Sequence, residues 1–196
     1  MMPSHSEGIV IQASSGLFQV ETADGVIECM ARAGADPGAI AAGDHVLISP
    51  QPAGRGVIES LMPRTTRFSR KVAGRRQDEQ VIAANLDQVV IVVAAAEPPF
   101  RETTLDRYLA AAEHCDLNAI VCINKVDLVP APDPDSACDL ADRAEIYSRI
   151  GYMVIMTSAE TGSGIALLRQ TLEGRVSALV GPSGVGKSSL ICAVSP

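Results

Sequence analysis

Hydrophobic residues follow two different spacings along this chain, and the spacing changes near residue 81. Up to about residue 63, apolar positions form short alternating runs separated by turn residues, which is typical of β-strands. Five short strands without helical periodicity favour a small, closed or nearly closed barrel of the OB type over residues 1–63. We predict these strands at residues 9–11, 17–22, 26–31, 44–49 and 56–61, with a hairpin signal at Asp24-Gly25.

From residue 81 onward, apolar strands alternate with amphipathic helices, and Thr103 or Thr104 can cap the first helix. This alternation predicts a parallel, doubly wound α/β sheet over residues 81–196. Ligands of such sheets bind beyond the carboxyl ends of the strands. The predicted strands are residues 87–96, 118–123, 152–156 and 176–180, and the predicted helices are residues 104–115, 137–150 and 165–172.

Residues 64–80 show no apolar periodicity, and we predict a basic linker between the two domains. The chain has a formal net charge of −7, which does not suggest a nucleic-acid binder, yet residues 64–76 contain six cations and no acid. One interpretation is a solvated connector, and the other is a segment that binds a phosphate-rich partner such as RNA. The candidate RNA-binding residues are Arg64, Arg67, Arg70, Lys71, Arg75 and Arg76.

The five cysteines are odd in number, widely spaced and without a C-x-x-C pair, which favours reduced thiols over a disulfide framework or a zinc site. The first residues lack the pattern of an export signal. The most apolar run, residues 89–96, is far shorter than the ~20 residues that span a bilayer. We therefore expect a cytoplasmic protein without membrane contact.

The strongest chemical signal is the sequence GPSGVGKSS at residues 181–189, which matches the phosphate-loop pattern G-x-x-x-x-G-K-[ST] after an apolar strand. Its glycines let consecutive backbone N–H groups converge on a phosphate, and the helix that follows directs its positive end to the same point. Lys187 adds a charge for the β and γ phosphates, and the Ser188 hydroxyl can bind Mg²⁺. The predicted nucleotide-binding residues here are Gly181, Pro182, Ser183, Gly184, Val185, Gly186, Lys187, Ser188 and Ser189.

Two further loops indicate which base is bound. The second α/β strand is followed by Asn124, Lys125, Val126 and Asp127, and the Asp127 carboxylate can accept both N1–H and N2–H₂ of guanine, a donor pair that adenine lacks. Asn124 can meet the O6/N7 side of the base or join this loop to the phosphate loop. After the third strand come Ser158 and Ala159, where the Ala159 N–H could donate to guanine O6.

The base-reading loops precede the phosphate loop, which is the motif order of circularly permuted GTPases. With RTTRFSRK at residues 64–71, QVIAANLDQVVIV at residues 80–92 and GPSGVGKSSL at residues 181–190, the chain resembles the RsgA (YjeQ) family over its whole length. That resemblance implies a GTPase of late small-subunit maturation that binds GTP or GDP with Mg²⁺. It also implies contact with the 30S ribosomal subunit and 16S rRNA, and Zn²⁺ in a C-terminal module of the full-length family. We expect a monomer.

In this family a threonine-bearing switch, a D-T-P-G motif and the zinc module follow the phosphate loop, and none occurs before Pro196. We therefore expect an incomplete G domain with weak nucleotide binding and negligible hydrolysis, and no catalytic residue can be named. One alternative is a ribosome- or RNA-binding module that no longer hydrolyses nucleotide. Another is an ATP-dependent phosphate-loop enzyme.

Overall fold

A computed structural model describes residues 5–14, 16–34, 36–71, 79–129 and 140–195. The chain forms two compact units, Met1–Leu86 and Asp87–Pro196. The first is built from strands and the second from alternating strands and helices.

The first unit contains a closed five-stranded barrel in which the strand order is β1-β2-β3-β5-β4 and β4 pairs with β1. The predicted hairpin forms, because β2 and β3 are joined by a two-residue turn between the paired residues Thr22 and Gly25. Side chains of alternate positions fill the barrel, among them Val10, Phe18 and Ile48. The strands are β1 (Ser6–Ser14), β2 (Leu17–Thr22), β3 (Gly25–Ala31), β4 (His45–Gln51) and β5 (Arg55–Leu61).

The segment predicted as a linker contains secondary structure. Strands β6 (Arg67–Lys71) and β7 (Glu79–Ala84) pair antiparallel, and both belong to the first unit. Phe68 is buried in this hairpin. The structural boundary between the units therefore follows Leu86, rather than lying on either side of a linker at residues 64–80.

Polar contacts between distant residues hold the base of the β6–β7 hairpin to the barrel. The Asn85 side chain accepts a hydrogen bond from the Thr65 N–H (2.9 Å) and donates one to the Gly43 carbonyl (2.8 Å). Gly43 has φ +87°, and a Cβ there would lie 2.1 Å from the Ala84 carbonyl oxygen. Thr65 and Gly43 lie 20 and 42 residues from Asn85 in the sequence, so the apolar periodicity of residues 64–80 does not indicate these contacts.

The second unit is a four-stranded parallel sheet in the order β10-β9-β8-β11. Its central strand β8 is buried at every position. Such burial is typical of a parallel sheet covered on both faces. The elements are β8 (Gln88–Ala94), α1 (Glu102–His114), β9 (Asn118–Asn124), α2 (Leu140–Ile150), β10 (Met153–Met156), α3 (Ile165–Leu172), β11 (Ser177–Val180) and α4 (Lys187–Val194).

The start of α1 differs from the prediction. The residue preceding the helix is Arg101, and no side chain caps it, so neither Thr103 nor Thr104 has the predicted capping role. Instead, Glu102 lies in the first turn, where a negative charge is favourable, and forms an ion pair with Arg143 of α2 (3.2 Å). The first part of the predicted second helix, residues 137–139, lies outside the described residues.

The strand order determines where a ligand can bind. After β8 the chain proceeds outward through β9 and β10, and then returns to place β11 on the other side of β8. The direction in which strands are added therefore reverses at β8, and the crevice at such a reversal is the usual ligand site of an open α/β sheet. The phosphate-loop sequence begins immediately after β11.

Candidate nucleotide site

Two glycines of the phosphate-loop sequence lie very close to other residues. Gly181 has φ +146°, and a Cβ there would lie 2.1 Å from the Val92 carbonyl oxygen of β8. Gly186 precedes α4 with φ +94°, and a Cβ there would lie 2.4 Å from Asn124 Nδ2. A side chain at Gly181 would collide with the backbone of β8, and one at Gly186 would collide with the buried Asn124 side chain, so both fixed glycines of the motif have a steric reason.

The motif lysine bends back over its own loop. Lys187 Nζ donates hydrogen bonds to the carbonyl oxygens of Gly181 (2.9 Å) and Pro182 (2.7 Å). Ser188 and Ser189 are exposed in the first turn of α4. The ammonium group, the Ser188 hydroxyl and the positive end of α4 thus lie at one end of a single helix, which suits a phosphate.

The base-reading loop is joined directly to the phosphate loop. Asn124 ends β9, is only 1% exposed, and donates from Nδ2 to the Val185 carbonyl (2.9 Å). Of the two contacts considered for Asn124, the structure therefore contains the one that joins the loops. Since Val185 lies two residues before Lys187, the two motifs lie together at the carboxyl edge of the sheet.

Asp127 follows Asn124 in a short 3-10 turn, Val126–Leu128, and its side chain is exposed. Lys125 precedes this turn in the left-handed region with φ +63°. Its Nζ donates a hydrogen bond to the Glu97 carbonyl in the loop after β8. The carboxylate of Asp127 is thus open to a ligand, while Lys125, which precedes its turn, is bound to a neighbouring loop.

The Ser-Ala loop is held by backbone and side-chain contacts. Thr157 is buried; its N–H donates to the Ile123 carbonyl (2.8 Å), and its hydroxyl donates to Asn124 Oδ1 (3.2 Å). Ser158 is also buried, and its hydroxyl accepts a hydrogen bond from the Thr161 N–H (3.1 Å). Ser158 therefore shapes the loop internally, whereas Ala159 is partly exposed.

The sequence analysis missed a fourth loop at this edge, residues 95–100 after β8. The Ala95 N–H donates to the Asn124 carbonyl (2.8 Å), and Glu97 accepts the hydrogen bond from Lys125. Pro98 approaches the phosphate loop, because a Cβ on Gly184 would lie 3.8 Å from Pro98 Cδ. The sequence signal for this loop was its position, because it follows β8, the strand that pairs with β11.

The predicted RNA-binding residues do not share one environment. Arg64 forms a two-point ion pair with the buried carboxylate of Asp44 (Nε–Oδ1 2.6 Å, Nη2–Oδ2 2.7 Å), and its side chain is 21% exposed. The hydrogen bond to Asp44 raises the pKa of Arg64 above its usual value. Residues 64–76 contain no acid, yet the charge of Arg64 is compensated by Asp44, which lies 20 residues earlier in the sequence.

Three of the remaining candidates belong to strand β6. Arg67 is exposed at the start of β6, and Arg70 and Lys71 belong to the same strand. Arg75 and Arg76 lie outside the described residues.

Within the described ranges, no three His, Cys, Asp or Glu side chains lie together in a way that could hold a metal ion. The Zn²⁺ of the full-length family thus stays a prediction. Within the same ranges, no helix is long and apolar enough to cross a membrane.

One edge of the parallel α/β sheet carries the phosphate-loop, base-reading and Ser-Ala motifs, and the sequence encodes them in permuted order. This arrangement defines the class of circularly permuted GTP-binding domains. The RsgA GTPase family model matches residues 61–196, and the chain belongs to this family.

Curated relatives are similar to this chain over nearly its whole length. The chain is 40% identical to the small ribosomal subunit biogenesis GTPase RsgA of Gemmatimonas aurantiaca, covering 100% of this chain and 64% of that protein. It is 38% identical to the protein of the same name from Moorella thermoacetica, covering 97% of this chain and 60% of the relative. The chain thus spans less than two thirds of the length of these relatives.

Solved structures show the same similarity. The crystal structure of YjeQ from Thermotoga maritima matches with a TM-score of 0.73 and 34% identity, covering 98% of this chain and 66% of that one. YloQ, described as a circularly permuted GTPase, matches with a TM-score of 0.69 and 31% identity, covering 98% of this chain and 65% of the other.

Proposed function

We propose that this chain binds GDP and GTP and supplies the nucleotide site of a GTPase that acts in maturation of the small ribosomal subunit. The observation that supports the proposal is the hydrogen bond from Asn124 to the Val185 carbonyl, because it joins residues 124–127 to the phosphate-loop sequence at one sheet edge. Relatives named as small ribosomal subunit biogenesis GTPases support the cellular role. That role would place the protein in the cytoplasm, in contact with the 30S subunit.

The residues divide the work of binding. Backbone N–H groups of residues 181–189, the amino end of α4 and the Lys187 ammonium would bind the phosphates. Asp127 would accept the two donors of the guanine edge, with Ala159 N–H directed at O6. Asn124, Thr157 and Lys125 form hydrogen bonds to other loops, and we assign them to positioning these groups.

The Ser188 side chain fits a magnesium ion bound with the nucleotide. It is an oxygen ligand, it is exposed, and it adjoins Lys187 in the first turn of α4. When bound, Mg²⁺ would neutralise charge on the β and γ phosphates.

The test of base recognition is Asp127→Asn. A carboxylate that accepts two donors contributes charge-assisted hydrogen bonds, so the variant should lose about 100-fold in GDP affinity, equivalent to ~3 kcal/mol. It should gain affinity for xanthosine diphosphate, because the asparagine amide can donate to the additional oxygen of xanthine. Fluorescent-nucleotide titration measures both, and the preference between nucleotides is informative even where absolute affinity is low.

Asp116→Asn is the matched control, since Asp116 is an exposed aspartate that follows α1 in the same unit. Equal GDP affinity of the Asp127→Asn and Asp116→Asn variants would refute base reading by Asp127. Preference of the unaltered chain for ADP would instead favour an ATP-dependent enzyme.

A second candidate function is RNA binding by the β6–β7 hairpin. The hydrogen bonds of Asn85 with Thr65 and Gly43 favour it. Thr65 and Gly43 fix the base of the hairpin on the barrel, so strand β6, which contains Arg70 and Lys71, belongs to the first unit rather than to a linker. Replacing Arg70, Lys71, Arg75 and Arg76 by alanine should reduce the salt dependence of 16S rRNA binding by a slope of about 3. Arg64 is unsuitable for this test, because its loss would leave Asp44 unpaired.

An unchanged salt slope in the four-residue variant would rule out phosphate contact by the hairpin. Binding of 16S rRNA that depends on salt but does not change when GDP or GTP is added would favour the RNA-binding module over the GTPase.

A further inference from the structure

The loop after β8, residues 95–100, contacts the base-reading loop at two points. The Ala95 N–H donates to the Asn124 carbonyl (2.8 Å). The Glu97 carbonyl accepts a hydrogen bond from Lys125 Nζ. Lys125 immediately precedes the 3-10 turn of the base-reading carboxylate, so the second contact connects the loop after β8 to that turn.

The two residues joined by the second contact share an uncommon backbone conformation. Glu97 has φ +52° and Lys125 has φ +63°, so both lie in the left-handed region. Residues other than glycine adopt this region at a cost, and they stay in it only where the surrounding structure holds them. The hydrogen bond of Ala95 holds the chain on one side of Glu97. The direction of the Glu97 carbonyl toward Lys125 therefore depends on what holds the chain on the other side.

On that other side, an arginine of helix α2 contacts the end of the loop. Phe100, the last residue of the loop, is 8% exposed, and Arg143 Cζ lies 5.7 Å from the centroid of its ring. This distance is typical of a cation–π interaction. The same guanidinium group forms an ion pair with Glu102, the first residue of α1 (3.2 Å). Arg143 thus holds the chain on both sides of Arg101, where the loop becomes a helix.

A second polar contact between the two helices fixes the position of Arg143. Tyr147, one helical turn after Arg143, is buried, and its hydroxyl donates to Asp106 Oδ1 (2.9 Å). Asp106 in turn lies four residues after Glu102. Residues four apart share one face of a helix, so the two contacts hold α1 and α2 in register. The guanidinium group is therefore placed by the packing of α2 as well as by its own partners.

We propose that Arg143 is a positioning residue for base recognition, because its contact with Phe100 holds the loop whose Glu97 carbonyl fixes Lys125 and the turn that follows it. Without Arg143 the loop would leave its left-handed conformation, and nucleotide binding would have to order Lys125 and its turn again. The inference rests on the proposed function for its ligand. It adds a residue of α2, a helix that contains none of the three nucleotide-binding motifs.

The first test removes the cation from the ring. Arg143→Gln should bind fluorescent GDP about threefold more weakly than the unaltered chain, as expected for loss of a partly exposed cation–π contact. Phe100→Leu keeps an apolar side chain without a ring and should weaken binding to a similar extent. Phe100→Tyr keeps the ring and should bind GDP as the unaltered chain does. Arg149→Gln is the matched control, because Arg149 is another arginine of α2 and pairs with Glu145 of the same helix.

The second test asks whether the effect reaches the nucleotide through Lys125. Lys125→Met removes the donor to the Glu97 carbonyl and keeps a long side chain. In that background, Arg143→Gln should cause no further loss of GDP affinity, because the residue through which it acts no longer contacts the loop. A merely structural role of Arg143 would weaken GDP binding by the same factor in both backgrounds, and that result would overturn the proposal.

Urea unfolding of the same four chains separates stability from positioning. The contact between Arg143 and Phe100 is present whether or not Lys125 is replaced, so Arg143→Gln should lower the free energy of unfolding equally in both backgrounds. The ion pair is tested separately by Glu102→Gln, which leaves the ring contact in place and should weaken GDP binding less than Arg143→Gln. A loss for Glu102→Gln as large as that for Arg143→Gln, with none for Phe100→Leu, would overturn the part assigned to the ring.

The two proposals fail differently. If the unaltered chain does not bind GDP, both the proposed function and the role of Arg143 are wrong. If it binds GDP and Arg143→Gln has the same affinity as the Arg149→Gln control, only the role of Arg143 is wrong.

Discussion

Replacing Asn124 by alanine should damage both the stability of the α/β unit and its nucleotide site. The side chain is almost fully buried, donates to the Val185 carbonyl and accepts from the Thr157 hydroxyl. Loss of two such bonds, with a buried carbonyl left unpaired, costs about 2–4 kcal/mol. GDP affinity should fall at least tenfold, because the phosphate loop would lose its connection to the base-reading loop.

The measurement combines urea unfolding with GDP titration. Asn118→Ala is the matched control, since Asn118 is exposed at the opposite end of the same strand, β9. The control should lower the free energy of unfolding by less than about 0.5 kcal/mol. Equal destabilisation of the two variants, together with unchanged GDP affinity for Asn124→Ala, would show that the loops do not depend on this contact.

Three further changes test particular contacts. Gly181→Ala should lower the free energy of unfolding by about 2 kcal/mol or more, since its Cβ would lie 2.1 Å from a carbonyl oxygen, whereas Gly174→Ala has open space and should cost less. Asp44→Ala should cost about 3 kcal/mol in urea unfolding because Arg64 loses its partner, and Asp24→Ala is the exposed control. A thiol reagent should modify exposed Cys192 well before Cys122, whose pKa burial raises to about 11, and equal rates would contradict the burial.

The strands and helices of both units were largely predictable because the signals that define them are local. Helix α3 has the predicted bounds, residues 165–172, and the observed strand β2 coincides with residues 17–22. In both, apolar periodicity within the element reflects the face that it buries. The phosphate-loop motif was equally visible because its defining residues are contiguous in the sequence, although its glycines contact β8 and Asn124.

Features that depend on distant partners were not predictable. The β6–β7 hairpin is fixed by Asn85 and Gly43, and the charge of Arg64 is compensated by Asp44. The loop at residues 95–100 joins the site through a backbone carbonyl, which any residue type can provide. In each case the decisive contact spans 20 or more residues, so neither composition nor spacing could indicate it.

The two halves of the proposed nucleotide site differ in their internal contacts. On the base side, the buried Thr157 and Asn124 side chains link three loops, and the Cys122 thiol lies 3.3 Å from the Thr157 hydroxyl within the same chain of contacts. On the phosphate side, Lys187 satisfies two carbonyls of its own loop. An ammonium group has three donors, so one remains for a phosphate oxygen while the other two hold the side chain in place. Binding would therefore require little rearrangement of the lysine, which lowers the entropic cost of ordering it.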